Sequence, residues 1–250
     1  VNGLIYFTHT SLSGHTRLFH GIFTRKGGIS KHPYGSLNTG YNTGDTPSNV
    51  FKNLRLIRET VRAGRLLFMN QVHGDRIISL RNNRHPDLES IGDADAVVTD
   101  IPDTAVMVKQ ADCQGVILFD PVKEVVALVH CGWRGNVRNI LGSVVKRMMS
   151  EFGGTPSDML AAIGPSLGPC CAEFITYKEI FPHSFMKFMV RDSYFDLWEI
   201  SRNQLVQAGL CRNHIEIAGV CTKCNTDTFF SHRAEGRTGR FATVTMIKNG

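Results

Sequence analysis

Residues 124–136 form the stretch that most constrains this fold, because a short apolar run ends there in a polar cluster that contains glycine. The run, residues 125–129, is Val-Val-Ala-Leu-Val, and such continuity predicts a strand buried on both faces of a sheet. Residues 130–135, His-Cys-Gly-Trp-Arg-Gly, include two glycines, which predicts a tight turn close to another group. A helix is predicted over residues 137–152. A polar cluster between a buried strand and a helix is a common location for the chemistry of an α/β protein.

Composition limits the classes of protein to which the chain can belong. The 250 residues are 42% hydrophobic and carry a net charge of +6, which suits one domain over residues 1–250. Because Lys and Arg are scattered, we expect an anionic small molecule as ligand and no nucleic acid. No apolar run approaches the roughly 20 residues of a membrane span, and no signal peptide is recognisable, so no membrane association is predicted. Seven cysteines favour reduced thiols in the cytoplasm over a disulfide framework.

Periodicity along the rest of the chain predicts a mixed α/β (α+β) protein with more strands than helices. The clearest helix begins at Pro47, after a suitable N-cap at Thr46, and ends before Gly64. Its apolar residues recur at steps of four and three, which gives one apolar stripe. Further helices are predicted over residues 177–181 and 197–208, and strands over residues 4–8, 18–24, 66–69, 76–80, 93–100, 105–109, 116–119, 160–163, 215–220 and 241–247.

His73, Cys113 and His130 share one property: each lies where a predicted strand breaks into a loop. If the sheet gathers these strand ends, two imidazoles and a thiolate converge, and this is a known zinc ligand set with an open fourth position. An open zinc lowers the pKa of its bound water from 15.7 to about 7. The long separations between the three residues match no short metal motif. Taken singly, each histidine also fits a structural role, and Cys113 fits a small buried apolar residue.

Four other cysteines form two sequence pairs. Cys221 and Cys224 have the C-x-x-C spacing, which is weak evidence for zinc because no second such pair follows. The nearest further ligand in the sequence is His232, so we predict that this pair does not form a structural zinc site. Adjacent cysteines rarely pair with each other, and we therefore interpret Cys170 and Cys171 as packing residues.

Six sequence blocks, in order, carry a resemblance to a known family. The central block is Val-His-Cys-Gly-Trp-Arg-Gly. The last block consists of Phe-Phe-Ser-His-Arg followed a few residues later by Thr-Gly-Arg. Together they resemble the YfiH-like family, also called the multicopper polyphenol oxidase or laccase-domain family, across nearly the whole chain. The blocks are residues 70–75, 94–100, 111–113, 129–135, 163–171 and 229–240.

The resemblance implies a fold, a metal and an activity. The implied fold has four layers, α/β/β/α, with helices outside two packed mixed sheets. The implied metal ligands are His73, Cys113 and His130, which would also be the catalytic residues, with zinc as the metal and copper as a possible replacement. The implied activity is that of a purine nucleoside phosphorylase acting on adenosine, inosine and methylthioadenosine, with adenosine deaminase activity. Two segments depart from the family pattern: Gln114-Gly115 replaces an apolar residue and Pro, and His232 replaces a Tyr.

Four residues are candidates for contacts with the purine nucleoside or phosphate. Arg134 follows the central strand, and its loop is expected to line the pocket with Trp133 packed beneath it. Arg25 precedes a glycine pair, which suits either an anion cradle or an ordinary exposed turn. Asn38 and Gln71 lie in segments that match the family pattern.

Three other interpretations remain open from the residues. A metal-free cysteine hydrolase would use Cys113 as nucleophile and His130 or His73 as base. A copper-dependent polyphenol oxidase (laccase) would use the same ligands, because imidazole and thiolate also suit copper. A non-enzymatic basic binding module would place its arginines on one exposed face.

We expect a monomer or a homodimer.

Overall fold

The computed structural model describes residues 3–81 and 88–249 and contains two six-stranded sheets packed face to face. Sheet one has the spatial order β1-β2-β14-β7-β3-β5, sheet two has the order β13-β10-β8-β9-β6-β4, and β11 and β12 form a separate ribbon. Both sheets combine parallel and antiparallel pairs. The strands are β1 (Tyr6–Phe7), β2 (Leu18–Phe23), β3 (Arg65–Asn70), β4 (Ile77–Leu80), β5 (Leu88–Asp93), β6 (Ala96–Thr99), β7 (Thr104–Gln110), β8 (Gln114–Asp120), β9 (Val125–Cys131), β10 (Leu160–Ile163), β11 (Met189–Arg191), β12 (Tyr194–Phe195), β13 (Ile215–Ile217) and β14 (Phe241–Ile247).

Helices cover the outer face of each sheet. Val50, Leu54 and Ile57 of α2 pack on sheet one, and α4 with α6 packs on sheet two. The predicted four-layer α/β/β/α arrangement is therefore confirmed. Within the described residues, no helix has the length and apolar character needed to cross a bilayer. The α-helices are α1 (Thr10–Ser13), α2 (Pro47–Val61), α3 (Trp133–Val137), α4 (Ile140–Phe152), α5 (Tyr177–Ile180), α6 (Leu197–Gln207) and α7 (His232–Glu235), and 3-10 turns occupy Tyr41–Thr43, Pro156–Asp158, His183–Phe188 and Arg212–His214.

The central strand β9 shows how one continuous apolar run serves two cores. Val126 and Leu128 point into the core between the two sheets, whereas Val129 and Cys131 point toward the helices outside sheet two. This alternation follows from the two-residue period of a strand. His130 therefore faces the space between the sheets, and its neighbour Cys131 faces away from it.

Two predicted elements differ from the structure in the course of the chain, and not only in their bounds. The strand predicted over residues 93–100 is two strands, because β5 ends at Asp93 in sheet one and β6 begins at Ala96 in sheet two. The helix predicted over residues 137–152 begins earlier and is interrupted, because Asn139 has a left-handed backbone with a φ of 53°. The chain thus turns between α3 and α4 and does not continue as one helix.

Candidate metal centre

Three connections at one end of the two sheets bring His73, Cys113 and His130 together. His73 lies between β3 of sheet one and β4 of sheet two, Cys113 lies between β7 of sheet one and β8 of sheet two, and His130 lies near the end of β9. Their potential ligand atoms all lie within 4.8 Å of one another. Cys113 Sγ is 3.9 Å from His73 Nε2, and the ring centroids of His73 and His130 are 4.9 Å apart. The predicted convergence is therefore present, and the metal itself stays a prediction.

The donor set fits a tetrahedral metal with one open position. Zinc bonds of about 2.0–2.3 Å place neighbouring N and S ligand atoms about 3.4–3.6 Å apart, close to the observed 3.9 Å between Cys113 and His73. His130 Nδ1 is 2.8 Å from the Asp95 carboxylate, which leaves Nε2 for the centre. The residues present therefore fit a bound metal ion.

Asp95 is the residue that orders this site, and the sequence analysis did not single it out. Its carboxylate is fully buried and accepts hydrogen bonds from His130 Nδ1 and from the backbone N–H groups of Val72, His73 and Gly74 at 2.6–3.2 Å. Burial alone raises the pKa of Asp95, but these hydrogen bonds hold it below its ordinary value. A charged Asp95 thereby fixes the position of His73 and the tautomer of His130.

The ligands polarise one another before any metal binds. Burial raises the pKa of Cys113, but His130 and His73 outweigh burial and lower that pKa to about 6. Burial lowers the pKa of His130, but the Cys113 thiolate and Asp95 raise it to about 9. In the metal-free centre these shifts favour a thiolate at Cys113 and an imidazolium at His130, and a thiolate is the form of cysteine that binds a metal.

The backbone allows a close approach at this centre. His73 has a φ of 56°, a left-handed conformation that side chains seldom adopt and that is often found at functional sites. A side chain at Gly132 would place Cβ 2.8 Å from Cys113 Sγ, so glycine is required there. The glycine next to the Trp-Arg pair thus makes room for the thiolate.

A cavity of about 850 Å³ opens over the three ligands. Its cationic side chains are Lys109, Arg134, Arg233 and Arg240, and its aromatic ones include Tyr41. Burial lowers the pKa of Lys109 to about 8 and also lowers the pKa of Arg240. Lys109, Arg233 and Arg240 were not identified from the sequence, because they lie on three separate segments. The other aromatic side chains of the wall are Phe68, Trp133, Phe174 and His232.

Two of the four predicted contact residues line this cavity. The guanidinium of Arg134 lies 4.3 Å from the centre of the Trp133 ring, and Trp133 packs against Phe174 and Phe181. Trp133 and Arg134 thus lie on the cavity wall, and contact of Arg134 with phosphate stays a prediction. Gln71 also lines the cavity, and its amide group forms two hydrogen bonds of 2.7 and 2.8 Å with the backbone of Lys109.

The predicted anion cradle at Arg25 is wrong, because this guanidinium has protein partners away from the cavity lining. It donates to the carbonyl groups of Gly35 and Thr226 and forms an ion pair of 2.9 Å with Glu235. It also lies 4.3 Å from the centre of the Phe230 ring. Arg25 therefore joins the N-terminal segment to the loop before β14.

Asn38 also lies behind the cavity wall, so the predicted ligand contact is wrong for this residue too. Its side chain is fully buried and donates to Gly40, Thr43 and Asp45. Its amide oxygen accepts from the backbone N–H groups of Gly40 and Arg240. Asn38 thus shapes the wall that Gly40 and Arg240 line.

The expectation about the remaining cysteine pairs rests on a wrong premise. The sulfur atoms of Cys170, Cys171, Cys221 and Cys224 all lie within 4.8 Å of one another. Cys170 is exposed and is not a packing residue. His232, the ligand that the sequence offered, lines the cavity instead, and its Nδ1 donates to the carbonyl of Gly236.

The fold and the site define an α/β protein with two packed mixed sheets and a His-Cys-His centre in a cavity. The chain belongs to the family described as multi-copper polyphenol oxidoreductase laccase, whose model matches residues 19–248. It is 30% identical to a purine nucleoside phosphorylase of Bacteroides thetaiotaomicron, over 96% of this chain and 95% of that protein. It is 31% identical to the purine nucleoside phosphorylase YfiH of Escherichia coli, over 90% of this chain and 91% of that protein. The resemblance to the YfiH-like family is therefore confirmed.

A solved structure shows the same architecture. The crystal structure of YlmD from Geobacillus stearothermophilus superposes with a TM-score of 0.87 at 28% sequence identity. The superposition covers 98% of this chain and all of that one. The two-sheet arrangement is thus shared with a relative.

Proposed function

We propose that this chain is a metal-dependent purine nucleoside phosphorylase acting on adenosine, inosine and methylthioadenosine, with adenosine deaminase activity. Zinc is the proposed metal, and copper is the alternative. One observation carries the proposal: the His73, Cys113 and His130 centre opens into a cavity that has both aromatic walls and cationic side chains. The names of the relatives support the phosphorylase part of this proposal.

The cavity suits the two proposed substrates. Its volume of about 850 Å³ falls within the range of small-molecule sites, roughly 300–1,000 Å³. A purine base has a π face that can stack on rings such as Tyr41, Phe68 or Trp133. Phosphate is an anion that Arg134, together with the other cationic side chains of the wall, can bind through charge-assisted hydrogen bonds.

Each of the three ligands has its own role in the proposed mechanism. A bound metal ion would supply Lewis-acid stabilisation and lower the pKa of a water molecule. Cys113 would contribute a thiolate, and His130 would contribute Nε2 while its Nδ1–H donates to Asp95. The backbone N–H of His73 also donates to Asp95, so one buried carboxylate holds the His130 ring and the backbone that carries the His73 ring.

The central experiment measures bound metal and reaction products in the same protein samples. Zinc-loaded protein is incubated with adenosine and phosphate, and adenine, ribose 1-phosphate, inosine and ammonia are measured. We expect both reactions, and we expect His73→Ala to lose the metal ion of the His73, Cys113 and His130 centre and both reactions together. Cys211→Ser is the matched control, because Cys211 is exposed and outside the site. Fully metal-loaded protein that releases no base in the presence of phosphate would contradict the proposal.

A second part of the experiment tests whether Arg134 binds phosphate. Arg134→Ala should raise the KM for phosphate about tenfold or more, because a hydrogen bond to a charged group contributes roughly 1.5–3 kcal/mol. Deamination needs no phosphate and should change less. Arg55→Ala is the control, because Arg55 is exposed on α2 and pairs with Glu59. An unchanged KM for phosphate would remove Arg134 from the phosphate site.

A metal-free cysteine hydrolase is the second candidate, and one observation favours it. Asp95, His130 and Cys113 are linked in the order acid, base and nucleophile, and the lowered pKa of Cys113 suits a nucleophile. If this candidate is right, a chelator leaves turnover intact, a thiol-alkylating reagent labels Cys113, and Cys113→Asp abolishes activity at any metal concentration. Under the metal proposal, Cys113→Asp retains weak activity in excess zinc, because carboxylate oxygen also binds zinc.

The copper-dependent polyphenol oxidase has less support from the donor groups. Among residues 3–81 and 88–249, one possible metal-binding set contains histidine, and it offers three ligands. A basic binding module is also less supported, because Arg134, Arg233 and Arg240 line a cavity. The cytoplasmic location and the monomeric or homodimeric state stay predictions.

A further inference from the structure

Two loops bring four cysteines together outside the metal centre described above. Cys170 and Cys171 follow β10, and Cys221 and Cys224 lie in the turn after β13. The loops lie side by side because the backbone of Ser166 forms hydrogen bonds of 3.1 and 3.0 Å with Val220 and Thr222. The sequence does not reveal this arrangement, because about fifty residues separate the two pairs.

The sulfur positions match one tetrahedral ion. Cys224 Sγ lies 3.7 Å from Cys170 Sγ and 3.5 Å from Cys171 Sγ, and all four sulfurs lie within 4.8 Å of one another. Zn–S bonds of about 2.3 Å place neighbouring sulfurs about 3.8 Å apart in a tetrahedron. Four sulfurs this close have room for a single ion between them, because a cluster of several metal ions would hold them further apart.

The surrounding backbone also fits a thiolate. The N–H of Gly168 donates to Cys221 Sγ at 3.3 Å, a contact that stabilises negative charge on sulfur. A Cβ at Gly168 would lie 2.8 Å from the Trp198 ring and 3.0 Å from Cys221 Cβ. Glycine therefore allows the loop to approach Cys221 closely enough for this hydrogen bond.

We propose that Cys170, Cys171, Cys221 and Cys224 bind one structural zinc ion as four thiolates. Four protein ligands leave no open position, so this ion would take no part in catalysis. The proposal does not rest on the proposed function of the cavity. It replaces the expectation that the C-x-x-C pair binds no zinc.

Such an ion would join two loops that support the catalytic centre. The backbone N–H of Leu167 donates to the carbonyl of Asp112, and Thr222 Oγ1 donates to the Asp112 carboxylate at 2.7 Å. Asp112 immediately precedes Cys113 and has a left-handed φ of 87°. The zinc would therefore stabilise the two segments that hold the Cys113 loop in this conformation.

The test measures bound zinc in protein purified under reducing conditions and dialysed against metal-free buffer. We expect about two zinc ions per wild-type chain, about one in His73→Ala, about one in Cys224→Ser and none in the double variant, because each site has its own ligands. Cys211→Ser is the control and should keep both ions. His73→Ala protein that retains no zinc would overturn the proposal.

A second measurement identifies the ligands even if Cys224→Ser fails to fold. Cobalt(II) is substituted into His73→Ala protein, where four thiolates should give the intense visible and charge-transfer bands of tetrahedral sulfur coordination. Cys171→Ser should shift these bands and weaken cobalt binding at least tenfold. Mass spectrometry after alkylation distinguishes the alternative, because a Cys171–Cys224 disulfide in freshly purified protein would overturn the proposal.

Discussion

At the scale of single residues, Asp95 determines how the centre is ordered. It accepts hydrogen bonds from both the His130 ring and the His73 backbone, and it is fully buried. Carboxylates of this kind set the tautomer and raise the basicity of a metal-binding histidine. The proposed chemistry of the cavity would thus depend on a residue that does not itself contact the proposed metal.

We predict that Asp95→Asn weakens zinc binding about 10- to 100-fold, the usual effect of losing such a partner. The amide keeps the shape of the carboxylate, but it carries no charge and cannot accept all four hydrogen bonds. Zinc affinity is measured by competition with a chelator, and Asp100→Asn, in a partly exposed ion pair with Arg81, is the control. Equal affinities of Asp95→Asn and wild type would contradict this role.

At the scale of elements, the break between α3 and α4 shapes the cavity rim. Asn139 adopts a left-handed backbone, and its side chain accepts a hydrogen bond from the N–H of Gly142 at 3.2 Å. This cap begins α4 anew, so that the short helix α3 can carry Trp133 and Arg134 into the cavity wall. Apolar periodicity does not reveal such a break, because it reports the face of a helix and not its direction.

We predict that Asn139→Ala destabilises the protein by about 1–2 kcal/mol, because it loses the cap and places a Cβ residue at positive φ. Asn139→Gly loses the same cap but accommodates the backbone, and should cost only a few tenths of a kcal/mol. Urea unfolding of both variants gives the difference. If the two variants are equally stable, the backbone conformation of Asn139 is not what matters.

At the scale of the whole molecule, a buried polar contact joins the two sheets at one edge. His20 of β2 accepts a hydrogen bond from the backbone N–H of His9 at 2.9 Å. The His9 ring lies 3.2 Å from Glu216 of β13, whose carboxylate also accepts from the N–H of Ser11. Burial, reinforced by the positive charge that His9 can carry, lowers the pKa of His20 to about 4. The contact therefore requires neutral His20.

We predict that stability falls as the pH decreases from about 6.5 to about 4, since only the unfolded chain binds a proton at His20 in this range. Below the folded-state pKa the loss is complete. The slope is measured by urea unfolding in the presence of a chelator, to exclude effects of metal release. His20→Gln should flatten the slope, and His183→Gln, at an exposed position, should not. Equal slopes in the wild type and His20→Gln would disprove the assignment.

The sequence by itself determined most strands of the two sheets, the approximate positions of the main outer helices and the three candidate ligands. Apolar period and strand ends are local properties, so β10 and β14 were predicted over the same residues that the structure shows. The placement of Arg134 was predictable for the same reason, because it directly follows the central strand. The full ligand set became specific only through the order of the family blocks.

Only the tertiary structure decided which distant polar residues meet. The chain passes between the sheets near His73, Asp95 and Cys113, and these crossings bring the carboxylate under the ligands. The Arg25 side chain forms an ion pair with Glu235, whereas the Arg240 side chain lines the cavity. The four clustered cysteines could not be recognised for the same physical reason. Hydrogen bonds and ion coordination depend on distances in space, and residues far apart in sequence acquire these only when the two sheets pack.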